Sequence, residues 1–230
     1  MPTLYHHPMS SASRFIRLVL GEYGFEYDLV DEQPWEGRRE FLALNPAGTL
    51  PVYLDDSMRA LCGAVVVSEY LDETHGALKR DRRLLAENSF QRAEIRRLVE
   101  WFLVKMEQDV TRHLARERVF KLQMPAAQGG GAPDSKLLRA ARGNIRQHMK
   151  YLTWLAGSRA WLAGDRLSYA DLAAAGAISV LDYLGEIDWK DWPQAKDWYQ
   201  RVKSRRSFRT LLADRVRGVT PASHYADLDF

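Results

Sequence analysis

In the first third of the chain, short apolar runs alternate with an amphipathic segment. Residues 3–6 and 25–30 have the composition of strands, while apolar positions recur every three or four residues from Phe15 to Tyr23. Gly24 follows directly and is a typical helix terminator. The pattern predicts a strand, a helix and a second strand, in that order.

The chain continues with a short helical segment and two β-prone runs that are separated by a polar pair. The predicted elements are a helix, the two strands of a hairpin and a further helix, at residues 38–44, 51–55, 58–62 and 64–73. A βαβ unit followed by ββα is the element order of a thioredoxin-like domain. We therefore expect an α/β thioredoxin-like N-terminal domain over residues 1–76.

Beyond a charged connector at residues 77–83, the apolar period is that of helices. Residues 84–122 contain no Gly or Pro, and a loop with three consecutive glycines follows at residues 123–134. Further helices are predicted over residues 136–156, 169–184 and 192–204. The sequence thus predicts an all-α C-terminal domain over residues 84–217, followed by a tail over residues 218–230.

Composition limits the classes of function. Apolar residues make up 46% of the chain, enough for a substantial core, and the single cysteine, Cys62, excludes an internal disulfide. No apolar run is long enough to span a membrane, so we expect a cytoplasmic protein. Lys and Arg total 33 against 30 Asp and Glu, a net charge of +3. That excess is too small for the dense basic face typical of nucleic-acid binding.

Two local motifs are more specific. The turn at residues 45–48 is followed by Leu50 and by Pro51, which opens a strand without losing a ladder hydrogen bond. X-Pro bonds are also the ones that adopt the cis form. In the second half, Ser168 and Asp171 have the spacing of a capping box at the start of a helix.

Together with the element order, these motifs resemble the glutathione transferase family over nearly the whole chain. The resemblance implies a thioredoxin-like N-terminal domain, an all-helical C-terminal domain, a cis Leu50–Pro51 bond and a homodimer. It also implies a glutathione site that is built from this bond and from the start of the third helix.

At that site the sequence departs from the family pattern. Active members carry an acidic residue or a glutamine followed by a serine, and these two side chains hold the γ-glutamyl end of glutathione. Gly63 and Ala64 occupy the two positions here. We interpret Leu50, Pro51, Gly63 and Ala64 as a vestigial glutathione site, and we expect neither a cofactor nor catalysis.

Ser10 and Ser11 lie where the family carries the group that stabilises the glutathione thiolate. One candidate function is therefore a glutathione-dependent transferase in which Ser10 or Ser11 has that role. The other interpretation is that these serines cap the first helix, which we favour because the glutathione grip is missing. His6 and His7 are adjacent on a strand and point to opposite faces, so no metal site is predicted.

The second candidate function is a non-catalytic homodimer that binds a protein partner. The tail combines two aromatic residues, a leucine and two aspartates, and Trp35 lies in a polar loop without obvious core neighbours. A tail strapped onto its own domain and a lid over the ligand groove are the structural alternatives. The predicted contact residues are Trp35, His224, Tyr225, Asp227, Leu228 and Phe230. The basic faces of the fourth and fifth helices are weaker candidates.

Within the family, the lost site and the tail resemble the FzlA-type proteins of bacterial cell division, dimers that bind the filament of the tubulin-like protein FtsZ. This resemblance implies FtsZ, or another filament-forming protein, as the partner at the division site. A two-fold dimer presents two copies of one surface, so it can bridge filaments or subunits, bias their curvature and regulate constriction.

Overall fold

The computed structural model describes the backbone of residues 1–230 and every side chain except those of Arg80 and Asp81. The chain begins with four strands and three helices. The strands are β1 (Thr3–His6), β2 (Asp28–Asp31), β3 (Val52–Leu54) and β4 (Ala60–Cys62). The helices are α1 (Ser11–Tyr23), α2 (Arg39–Leu44) and α3 (Ala64–Thr74).

The four strands form one sheet in the order β2-β1-β3-β4. β1 pairs parallel with β2 and antiparallel with β3, and β3 pairs antiparallel with β4. The parallel pair needs the crossover that α1 supplies, whereas a tight hairpin is sufficient for the antiparallel pair β3 and β4. The expected thioredoxin-like arrangement is confirmed.

β2 starts three residues later than the predicted strand, because Phe25 belongs to the C-terminal cap that follows α1. Gly24 adopts a left-handed φ of 75°, and Phe25 N donates to Leu20 O at 2.9 Å. This is the hydrogen-bond pattern of a helix C-terminus, in which a glycine reverses the chain. Helix termination at Gly24 therefore takes precedence over the β propensity of Phe25.

The second domain is helical, as predicted. α4 spans residues 89–123 without a break and contains three π-helical stretches, Trp101–Lys105, Glu107–Thr111 and Arg116–Phe120. The later helices are α5 (Ser135–Ser158), α6 (Tyr169–Tyr183), α7 (Pro193–Lys203) and α8 (Arg209–Leu212). α4 starts at residue 89 rather than near residue 84 because the Asn88 side chain accepts hydrogen bonds from the first turn.

α6 lies at the centre of the molecule, and each of its residues is buried. It packs against α1, and Gly176 permits the close approach, because a Cβ there would lie 3.0 Å from both Phe15 N and Ser11 O. The helix begins with the predicted capping box: Ser168 N donates to the Asp171 carboxylate at 3.0 Å. The contact between α1 and α6 joins the two domains.

Candidate functional site

The four residues predicted to form a vestigial glutathione site, Leu50, Pro51, Gly63 and Ala64, lie at the start of β3 and the start of α3. The Leu50–Pro51 peptide bond is cis, and Pro51 O accepts a hydrogen bond from Gly63 N at 2.9 Å. Gly63 has φ +92°, which favours glycine, and no side chain caps the start of α3. Val65 and Val66 follow, and both are more than half exposed. The first turn of α3 therefore offers a ligand apolar side chains, with no hydroxyl or carboxylate.

Ser10 is the N-cap of α1, in agreement with the favoured interpretation. Its Oγ accepts a hydrogen bond from Ser13 N at 3.2 Å, and its backbone has the extended conformation of a cap. Ser11 is buried, and its hydroxyl lies near the Glu107 carboxylate of α4, whose charged form it stabilises. Of the two serines, only Ser11 keeps a hydroxyl group that no cap interaction occupies.

The expectation that Trp35 lacks core neighbours is wrong. Trp35 lies in a short 3-10 turn, Pro34–Glu36, and its ring packs 5.1 Å from Phe120 near the end of α4 and 5.7 Å from His7 after β1. The side chain is half-buried at the junction of the two domains. Sequence reasoning missed these contacts because Phe120 is distant in the chain.

The tail is a strap, and this corrects the role predicted for Tyr225. Tyr225 is fully buried, and its hydroxyl lies 2.9 Å from the Arg14 guanidinium and 3.0 Å from Leu211 O. A partner could not reach this side chain while the tail stays docked. Tyr225 therefore belongs to the core, where burial raises the pKa of its hydroxyl.

Two further tail residues are held mainly by contacts within the chain. His224 Nε2 lies 2.9 Å from Asp182 Oδ1. The Phe230 ring receives the Lys203 ammonium 3.9 Å from its centroid and packs 5.1 Å from Trp189. Both side chains are only partly accessible to solvent. They therefore hold the tail on the domain and leave little of their own surface for a partner.

Asp227 and Leu228 point outward from this strap. Both side chains are exposed, and Leu228 keeps 41% of its surface accessible. Leu228 lines an open surface groove with Gln194 and Arg201 of α7. Of the six predicted contact residues, these two are presented most fully to solvent.

Buried charges beneath the strap were not anticipated from the sequence. Arg14 and Arg17 of α1 are both almost inaccessible, and Arg17 makes paired hydrogen bonds of 2.8 and 2.9 Å to the Asp214 carboxylate. Burying these guanidinium groups is tolerated because each one is hydrogen-bonded to a charged or polar partner. The cluster fastens the first domain to the segment that leads into the tail.

The sequence of this chain is similar to a known protein family and to a relative of known name. Family models described as the N-terminal and C-terminal domains of glutathione S-transferase match residues 4–80 and 118–206. FtsZ-localized protein A of Caulobacter vibrioides is 41% identical over 231 residues, covering 99% of this chain and 98% of the relative. The chain belongs to the glutathione S-transferase family.

Solved structures of this family superimpose over the full length. A crystal structure described as a glutathione S-transferase from Sinorhizobium meliloti 1021 has 79% identity and a TM-score of 0.99, with 100% of both chains covered. FzlA from C. crescentus has 40% identity and a TM-score of 0.90, covering 100% of this chain and 99% of that one. Both the fold and the tail therefore lie within the matched region.

Cys62 ends β4, next to the start of α3, in this glutathione S-transferase homologue. Burial raises the pKa of the Cys62 thiol, and Sγ lies 3.5 Å from Leu44 O, as suits a small side chain packed at a sheet edge. Among the described side chains, no group of three His, Cys, Asp or Glu is placed to hold a metal ion. Across the same part of the chain, no helix is long and apolar enough to cross a membrane.

Proposed function

We propose that this protein is a non-catalytic dimer of the glutathione transferase fold that binds the FtsZ filament at the division site. The observation that carries the proposal is the 41% identity to FtsZ-localized protein A, which extends over 99% of the chain. By bridging filaments or subunits, the dimer would bias filament curvature and regulate constriction.

The start of α3 supports the absence of glutathione chemistry. Gly63 and Ala64 supply no side-chain hydrogen bond for the γ-glutamyl end of glutathione. Each hydrogen bond to a charged group contributes about 1.5–3 kcal/mol. Two such losses weaken binding by a factor of about 100 or more.

The face shared by α3 and α4 supports a dimer. Val65 and Val104 are 55% and 44% exposed on this face. Val65 and Val104 line an apolar groove of 350 Å³ together with Leu103. A contiguous apolar patch on a soluble protein marks an interaction surface, and a second copy of the chain is the occupant that the family resemblance implies.

The tail surface supports contact with the filament. Tyr225 and Phe230 anchor the strap, so Asp227 and Leu228 are presented on a rigid support. A rigid contact loses little conformational entropy on binding. We assign the filament contact to these two exposed residues, with Trp35 as a further candidate.

Co-sedimentation with polymerised FtsZ tests the proposal. The native protein should pellet with GTP-assembled FtsZ and not without it, while the double variant Asp227→Ala/Leu228→Ala should lose most of this pelleting. A matched control, Glu73→Ala/Leu78→Ala, removes an exposed acid and an exposed leucine from the end of α3 and the turn after it, and should behave as the native protein. Deleting the tail is unsuitable, because it removes Tyr225 from the core.

The outcomes separate the two parts of the proposal. A native protein that fails to pellet with FtsZ would overturn the function. Native-like pelleting of the Asp227→Ala/Leu228→Ala variant would overturn only the assignment of the contact surface. Electron microscopy of the filaments should show altered curvature with the native protein.

A glutathione-dependent transferase is the alternative, with Ser11, whose hydroxyl does not cap α1, as the candidate thiolate stabiliser. Calorimetric titration with glutathione distinguishes the two functions. We expect no binding stronger than millimolar. Micromolar affinity, with turnover of an electrophilic test substrate that Ser11→Ala abolishes, would replace the non-catalytic assignment.

A further inference from the structure

The outer face of α5 carries a concentration of positive charge that neither the fold nor the proposed function explains. Over its 24 residues, α5 contains five Lys and Arg and no Asp or Glu. The rest of the chain holds 28 basic and 30 acidic residues. The net positive charge of the protein therefore resides in this one helix.

Four of these cations lie on one side of the helix, and we name them the basic stripe: Lys136, Arg139, Arg146 and Lys150. All four side chains are exposed, and none has an acidic partner within 4 Å among the described side chains. The fifth cation, Arg142, differs because it pairs with Glu186, with its Nε 2.8 Å from Oε2. The described acidic side chains therefore form no ion pair with the basic stripe.

An aromatic group ends the basic stripe. Trp154 follows Lys150 by one helical turn and is 58% exposed, a large fraction for a tryptophan. Its ring stacks on Tyr151 at 6.0 Å with an interplanar angle of 13°, and the Arg159 guanidinium lies 5.9 Å from its centroid. Exposed tryptophans next to arginines are typical of the binding hot spots of interfaces.

We propose that the basic stripe and Trp154 form a docking site for an extended acidic peptide segment that ends in an apolar residue. Residues four apart on a helix are separated by about 6.0 Å along its axis. Alternate residues of an extended chain are separated by about 6.6 Å and share one face. Acidic side chains at every second position therefore match the spacing of Arg146 and Lys150, and Trp154 lies one further turn along the helix.

The length of the site sets the length of the partner. From Lys136 to Trp154 the axis rises about 27 Å, which corresponds to eight or nine residues of extended chain. A free peptide of that length is too short for a stable isolated helix in water. A nonapeptide is therefore an extended probe whose length matches the site.

The burial of α5 favours a peptide over a lipid surface. Helices that lie on membranes insert an apolar face below the headgroups. The apolar face of α5, which includes Ile145, Leu152 and Leu155, is buried in the protein core. Trp154 and Leu137, at opposite ends of the helix, are its exposed large apolar side chains and form no continuous face to insert. The linear array of charges instead matches a linear acidic chain.

Fluorescence anisotropy with a synthetic peptide tests the proposal on the full-length protein. The probe is a fluorescein-labelled nonapeptide in which glutamate alternates with threonine and one end is phenylalanine. We expect saturable binding at 50 mM salt that weakens at least fivefold at 300 mM salt. A peptide with glutamine in place of glutamate should not bind.

Charge-reversal variants identify the surface. Arg146→Glu/Lys150→Glu should weaken binding at least tenfold, and Trp154→Ala at least threefold. The matched control Arg39→Glu/Lys190→Glu makes the same change in net charge at exposed positions outside α5, and should bind within twofold of the native protein. Circular dichroism should show all three variants to be folded, because every substituted side chain is exposed.

Four results would overturn the proposal. They are no binding to the native protein, an equal loss in the matched control, equal affinity for a peptide whose glutamates are consecutive, and basic-stripe-dependent binding to phosphatidylserine vesicles without binding to the peptide. The last of these would reassign the surface to membranes. A tenfold loss confined to the basic-stripe variant would establish the site.

Discussion

At the residue scale, two buried histidines at the end of β1, His6 and His7, contribute to the response of the fold to acid. His6 Nε2 lies 2.9 Å from Asp31 Oδ1, and His7 Nδ1 accepts a hydrogen bond from Met9 N at 3.0 Å. Burial, reinforced by nearby arginines, lowers the pKa of His6 to about 3, and burial lowers the pKa of His7 to about 4. Both imidazoles are therefore neutral in the folded protein at pH 7.

The depressed pKa of His6 predicts a loss of stability on acidification. Below pH 6.5 the unfolded chain binds a proton at His6 that the folded chain does not, so the free energy of unfolding falls as the pH drops towards 3. Between pH 7 and pH 5 this amounts to about 2 kcal/mol. In urea titrations at the two pH values, His6→Gln should show a correspondingly smaller loss than the native protein. An identical loss in both proteins would contradict the assignment.

Single residues differ in how far the sequence determines their role. The cap at Ser10 and the missing grip at Gly63 follow from local spacing, and the structure agrees with both. The burial of Tyr225 does not, because its partner Arg14 is 211 positions away and on the other domain. An aromatic residue in a polar tail has the same local sequence whether it meets a partner or its own core.

At the scale of elements, one buried carboxylate at the start of α6 connects three segments of the chain by hydrogen bonds. Asp171 is inaccessible to solvent and accepts hydrogen bonds from Leu162 N at 2.9 Å, Ser168 N at 3.0 Å and Trp198 Nε1 at 3.0 Å. It therefore closes the capping box and also connects α6 to α7 and to the preceding loop. The sequence predicts the first role but gives no signal of the second.

This double role predicts unequal costs for the two residues of the capping box. Ser168→Ala removes one cap and should cost about 1 kcal/mol. Asp171→Ala leaves three buried donors without partners, at about 1–3 kcal/mol each, and should cost at least about 3 kcal/mol. Urea unfolding followed by circular dichroism measures both, with the exposed Asp197→Ala as a control that should change stability by less than about 0.5 kcal/mol. Equal costs would show that only the cap matters.

Element boundaries were predictable where side chains or glycines mark them, as at Gly24 and Ser168. They were not predictable where apolar periodicity alone was available. α4 has the helical pattern over its whole length, yet three stretches of it are π-helical. A π turn shifts the register by one residue, and a tolerant apolar pattern does not reveal the shift.

At the scale of the whole molecule, contacts between the two domains hold the surface of the tail in a fixed position. α1 packs on α6, and Arg17 reaches across to Asp214 at 2.8 Å. The strap then covers this junction through Tyr225. Because the tail is docked in this way, Asp227 and Leu228 have a fixed orientation relative to the two domains. A fixed orientation is required if two copies of the chain are to contact one filament at a defined angle.

Under the proposed function, filament bridging should depend on the proposed dimer and not only on the tail surface. Val104→Glu places a charge on the apolar face of α3 and α4, and should yield a monomer in analytical ultracentrifugation while leaving the tail intact. With only one contact per particle, co-sedimentation with FtsZ should weaken at least tenfold, because the second contact of a dimer forms at high effective concentration. Filament bundles should disappear from electron micrographs.

The matched control is Leu122→Glu, at a 56% exposed leucine near the end of the same helix. This variant should remain dimeric and bridge filaments normally. A Val104→Glu protein that stays dimeric would move the two-fold interface elsewhere, whereas a monomer that still bundles filaments would show that each chain carries two contact surfaces.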